Sequence, residues 1–121
     1  MKVLTLTQPW ASLIKDGIKK IETRSWQTTF RGVIAIHASK KVDIDACRRF
    51  GYDHSTIITG AIICTAILVD IVRFPHRGIT PDIYGDFSDG RYGWILENVE
   101  PIEPIEARGY QFLWEFGTNT M

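Results

Sequence analysis

The spacing of apolar residues divides this chain into short elements of two periods. Lys2–Leu6 alternates as a strand. Over Gln8–Asp16 the residues Trp10, Leu13 and Ile14 fall at i, i+3 and i+4, which predicts a helix with Pro9 at its first position. Gly17 supplies the left-handed residue that commonly ends a helix. Lys20–Trp26 alternates again, placing Lys20, Glu22, Arg24 and Trp26 on one strand face and Ile21, Thr23 and Ser25 on the other. A turn at Gln27–Phe30 leads into a Val- and Ile-rich strand over Arg31–Ser39, and Asp43–Phe50 reads as a short helix stopped at Gly51. Gly60–Phe74 is β-branched throughout and longer than a usual strand, so it is expected to be central and bent or bulged. Pro75–Arg91 is punctuated by proline and glycine and reads as loop. Strands are expected at Tyr92–Val99 and Tyr110–Phe116, separated by a Pro101–Pro104 connection. Two helices among five or six strands, without strand–helix alternation, argue against a doubly wound sheet and for a small mixed α+β barrel.

Composition narrows the class further. The 121 residues are 45% hydrophobic and 23% charged, which suits a single globular domain over 1–121 and excludes a disordered tail, a collagen repeat or a coiled coil. The longest apolar run, Ala61–Val69, is broken at Thr65 and falls short of the about 20 residues a membrane helix needs, so no membrane association is expected. The first residues, Met1 to Pro9, lack a secretory signal's apolar core. Cys47 and Cys64 sit in apolar stretches and do not form a disulfide framework. The cytoplasm is the expected compartment.

Charge changes the picture more than its total of zero suggests. Residues 1–49 hold ten Lys and Arg against Asp16, Glu22, Asp43 and Asp45, a balance of +6 that residues 50–121 offset at −6. Such segregation fits one basic face and a polyanionic partner, unless folding interleaves the two halves.

The densest polar constellation is Gly17-Ile18-Lys19-Lys20-Ile21-Glu22-Thr23-Arg24. Its Lys19–Glu22–Arg24 row can hold phosphate through the cations and read a base edge through the carboxylate. The alternative is a solvated strand face with surface ion pairs of little energetic weight. If Glu22 acts in the cleft as base or as ligand acceptor, removing its charge is expected to shift stability within about 0.5 kcal/mol, whereas a large loss without a change in ligand behaviour would make it a structural ion-pair member. Trp26 shares that face and could stack on a base. Trp10 stands at the helix start beside it, whereas Trp94 and Trp114 read as core. Ser39, Lys40 and Lys41 end a strand where a loop could touch phosphate. His37, His54 and His76 lack metal-ligand spacing, and His37 reads as a hydrogen-bonded core or rim residue. Asp82, Asp86 and Asp89 miss the spacing of a calcium loop and read as turn residues. Neither a metal nor a cofactor is expected, and no Walker loop, dinucleotide fingerprint or nucleophile elbow is present.

Taken together, Gln8-Pro9-Trp10-Ala11, Gly17-x-Lys19-x-x-Glu22-x-Arg24-x-Trp26 and Arg31-Gly32-x-Ile34-x-Ile36-His37-Ala38 resemble the ASCH family of the PUA-like superfamily of small β-barrels. Gly60-Ala61-Ile62-Ile63, Gly93-Trp94 and Gly109 to Trp114 continue the likeness over nearly the whole chain. The resemblance implies a cleft beside the first helix that meets RNA or a modified nucleoside, with Lys19, Glu22 and Arg24 on the family's motif positions. One branch of the family removes the acetyl group from N4-acetylcytidine using a lysine, a threonine and a separate glutamate. Lys19 matches that lysine, but Glu22 stands where the branch has its threonine, so acetate release is expected to be negligible.

Three readings follow. In the first, the cleft binds RNA or a nucleotide, with Arg24, Lys19 and Lys40 on phosphate, Glu22 on a base edge, and Trp26 and Trp10 as aromatic walls. In the second, it is a hydrolase of amidohydrolase or ribonuclease type, with Glu22 as general base and Lys19 stabilising developing charge. In the third, the domain is a protein-interaction module.

Overall fold

A computed structural model describes residues 1–117; the end of the expected 1–121 domain, residues 118–121, lies outside the described residues. Six strands and two short helices follow one another as β1 (Lys2–Gln8), α1 (Trp10–Lys15), β2 (Ile21–Arg24), β3 (Gly32–Val42), α2 (Ile44–Phe50), β4 (Ala61–Arg73), β5 (Tyr92–Glu106) and β6 (Leu113–Glu115). They form one mixed sheet in the order β2-β5-β4-β3-β1-β6. The β1–β3 pair is parallel and the others are antiparallel.

Each helix is set by local chemistry. Gln8 is fully buried: its Oε1 accepts from the Ser12 amide at 2.9 Å, and its Nε2 donates to Ser12 Oγ and to the Ile58 carbonyl. The helix therefore begins at Trp10, one residue later than a proline at the first position would place it. At α2 the Asp43 carboxylate accepts from the Ala46 amide, and Gly51 closes the helix at φ 82°.

The buried face of α1 packs over β1, β3, β4 and β5, joining Ala11 and Ile14 to Leu4, Leu6, Ile34, Ile36, Ile63, Leu68, Trp94 and Leu96. On the opposite sheet face a smaller cluster of Val3, Ala35 and Ile62 is covered by Ile102, Ala107, Trp114 and Phe116. Trp94 is core as expected, while Trp114 is half-buried at this second face.

Two expectations change. β5 does not stop at Val99 but runs straight through Pro101 and Pro104 to Glu106. β2 pairs only with Tyr92 to Ile95, so the rest of β5 has a single neighbour, β4, and a free side on which proline needs no ladder hydrogen bond. Register shifts against β4, with Asn98 at φ 54°, and the exposed Glu97, Glu100, Glu103 and Glu106 further blunt this edge. Much of the acidic surplus of the second half is thus spent on the free edge. The sheet is also not closed into a barrel: β2 and β6 end it without pairing to each other. Side chains cross the opening instead. Arg24 of β2 donates to the Thr5 carbonyl of β1 at 2.8 Å, and Trp26 packs edge-to-face on Phe112 with ring centres 5.1 Å apart.

Candidate functional site

The chain leaves α1 through Gly17 at φ 77°, and the amides of Ile18 and Lys19 both bond back to the Leu13 carbonyl. That tight return carries Lys19 under Trp10, with Nζ 5.8 Å from the indole centre. Nζ donates to the Tyr84 carbonyl and lies 3.4 Å from Glu22 Oε1. The other Glu22 oxygen accepts from Arg24 Nε at 2.7 Å. A continuous row results, from the Tyr84 carbonyl through Lys19, Glu22 and Arg24 to the Thr5 carbonyl.

The row is not a solvated strand face. The side chains of Lys19 and Glu22 are only 1% and 9% exposed. Their burial comes from the segment between β4 and β5, which folds back as a cover. Gly85 lies so close that a Cβ there would stand 2.8 Å from Thr23 Cγ2 and 3.2 Å from Lys19 Nζ. The Asp86 amide donates to Thr23 Oγ1, and Arg91 Nε lies 3.4 Å from Asp86 Oδ2. Asp82 and Asp86 hold the turns of this segment by accepting from the Tyr84 and Ser88 amides, as their spacing suggested.

Two hollows flank the row. The smaller, of about 600 Å³, is walled by Trp10, Lys19, Glu22, Arg49, Tyr84 and Arg91. The larger, of about 1220 Å³, is walled by His37, Lys40, Lys41, Arg108, Tyr110 and Phe112, with Glu106 as its single carboxylate among the described residues. Arg24 and Trp26 belong to both walls. The six residues singled out in the sequence therefore divide: Trp10, Lys19 and Glu22 in one hollow, Lys40 in the other, Arg24 and Trp26 between them. Trp26 lies just beyond the end of β2, held edge-on between Trp94 and Phe112.

Sequence reasoning missed Arg108, Tyr110 and Phe112. Tyr110 and Phe112 fell within the strand expected over Tyr110–Phe116, but β6 begins only at Leu113, and Arg108 fell in no expected element. It missed Tyr84 and Gly85 as well, for which a lone glycine in a loop was the sole signal. His37 is buried and hydrogen-bonded, as its apolar run implied.

The ASCH domain family matches residues 4–106. Human and mouse proteins named Activating signal cointegrator 1 are each 53% identical to this chain over 38 residues, 31% of this chain. The match spans only 6% of their length. The crystal structure of ASCH from Zymomonas mobilis superposes with a TM-score of 0.57 at 22% identity, covering 87% of this chain and 72% of that one. A mutant form of the same bacterial protein gives the same TM-score at 21% identity.

Proposed function

Since this chain belongs to the ASCH domain family, we propose that its paired hollows bind single-stranded RNA or a modified nucleotide. The observation that supports this reading is the larger hollow itself. It gathers Arg24, Lys40, Lys41 and Arg108 beside the aromatic rings of Trp26, Tyr110 and Phe112, with Glu106 as the one opposing carboxylate among the described residues. Cations along a backbone and rings for bases are what sequence-tolerant single-strand binding needs. Tyr110 and Phe112 are 53% and 60% exposed, and the Arg108 guanidinium lies over the Tyr110 ring, 5.4 Å from its centre.

In this reading the Lys19–Glu22–Arg24 row is the floor between the two hollows. Glu22 stands between two cations, which suits a group that fixes their geometry and accepts from a ligand donor. Arg24 faces the phosphates and keeps its position through Glu22 and the Thr5 carbonyl. The test is fluorescence anisotropy with a labelled single-stranded RNA over a range of salt. Affinity should fall as salt rises, through counterion release. Binding that ignores salt, or none at low salt, would overturn the reading.

A further inference from the structure

A second constellation lies deeper in the larger hollow, beyond the Thr5 carbonyl on which the Lys19–Glu22–Arg24 row ends. Thr5 and His37 are register partners on the parallel strands β1 and β3. Leu4 and Leu6 face α1, so Thr5 points to the other side of the sheet, where His37 is 1% exposed. His37 Nε2 lies 2.7 Å from the Ala107 carbonyl, which can only accept, so Nε2 carries the ring hydrogen. In the neutral ring Nδ1 is then an acceptor, and it stands 3.2 Å from Thr5 Oγ1. Trp114 Nε1 can only donate, and it donates into Thr5 Oγ1 at 2.9 Å. Thr5 therefore has His37 Nδ1 as the acceptor for its own hydrogen. Gly109 lies against the pair: a Cβ there would stand 2.8 Å from His37 Cε1 and 3.0 Å from Thr5 Cγ2.

A hydroxyl, a neutral imidazole that accepts its proton, and a third group that orients the imidazole form a nucleophile–base–orienter arrangement. Both Thr5 and His37 line the hollow, beside Arg24, Lys40 and Arg108. We propose that Thr5 is an acyl-accepting nucleophile, with His37 as its general base, acting on carboxylic esters of a phosphate-bearing alcohol. Thr5 Oγ1 bonds to the ester carbon while its proton passes to Nδ1. The adduct then collapses, the bond to the alcohol oxygen breaks, and that oxygen takes the proton from Nδ1. Water then passes a proton to Nδ1 as its oxygen bonds to the acyl carbon; the bond to Oγ1 breaks, Oγ1 takes the proton back from Nδ1, and the carboxylic acid leaves, restoring Thr5 and His37. Trp114 Nε1–H steadies Oγ1 as it loses its proton, and the cations set the preference for an anionic leaving alcohol.

Acetylation of the full chain by p-nitrophenyl acetate, mapped by peptide mass spectrometry, tests the assignment. An acetyl group on Thr5 is expected, retained in Thr5→Ser and absent in Thr5→Val. His37→Gln should slow its formation about 10²-fold or more, with near-ultraviolet circular dichroism confirming the fold. Acetyl groups confined to lysines or the N-terminus, or p-nitrophenolate release undiminished in Thr5→Val, would overturn it. The wild-type map decides even if the His37 variant fails to fold. It also stands apart from RNA affinity, whose absence would remove the binding function and leave an acetylated Thr5 unexplained by anything else.

Discussion

Lys19 and Glu22 form an ion pair that the fold buries at the edge of the smaller hollow: Nζ and Oε1 are 3.4 Å apart, with side chains 1% and 9% exposed. A charge in that position depends on its partner. Glu22→Gln keeps the shape and one acceptor oxygen but removes the charge that offsets Lys19, which retains the Tyr84 carbonyl and the Trp10 ring. Removing one member of a buried pair costs about 3–5 kcal/mol, far above the about 0.5 kcal/mol expected of a surface position. Chemical denaturation should show that loss as a lower midpoint at an unchanged slope. A midpoint within error of wild type would mean that water reaches Lys19.

The cover over this pair gives a second expectation. Gly85 does not need a positive φ; it needs the absence of a Cβ, because Thr23 and Lys19 occupy that space. Gly85→Ala should push the segment outward and weaken the Lys19 bond to Tyr84, costing about 1–3 kcal/mol as overpacking does. Hydrogen exchange at the Asp86 amide, which donates to Thr23 Oγ1, should accelerate in the variant. Unchanged protection there would show that the segment does not seal the site.

Alkaline pH should destabilise the protein, and the sign follows from two groups. Burial pushes the Cys64 thiol up from 9.0 to about 12. Burial first, and then its 2.7 Å hydrogen bond to Asp16, raise the Tyr52 hydroxyl as well. Above pH 9 the unfolded chain sheds these protons while the folded one keeps them, so stability falls with rising pH. The thermal midpoint should decline steadily from pH 9 towards 12. Iodoacetamide should alkylate Cys47 and Cys64 only after denaturant is added, since both thiols are buried and raised.

What was legible in the sequence was local. The i, i+3, i+4 spacing of Trp10, Leu13 and Ile14, the Asp43 cap and the Gly51 stop all depend on residues within a turn or two. Strand alternation likewise placed Glu22 and Arg24 on one side. The burial of Lys19 was not legible, because it is imposed by Tyr84 and Gly85, some 65 residues further along. β5 was cut short for the same reason: Pro101 and Pro104 forbid a central strand but not an edge, and which strand is an edge is a fact of topology. Thr5 and His37 meet only because β1 and β3 pair in parallel, so their joint chemistry has no signature in either segment.

The larger hollow makes the last expectation specific to residues. Lys40, Lys41 and Arg108 are exposed and make no salt bridge among the described residues, so replacing each with Gln should leave stability within about 0.5 kcal/mol. If each holds one phosphate, each loss should reduce the slope of log affinity against log salt by about 0.7, the value for single-stranded nucleic acid. Phe112→Ala acts on a ring that is 60% exposed and should weaken binding through lost stacking, worth about 1–3 kcal/mol per base, without altering that slope. The two classes of variant thus separate backbone contact from base contact in one titration series. If the Phe112 change lowers the salt slope, or the lysine changes leave it untouched, the ligand does not lie along this wall.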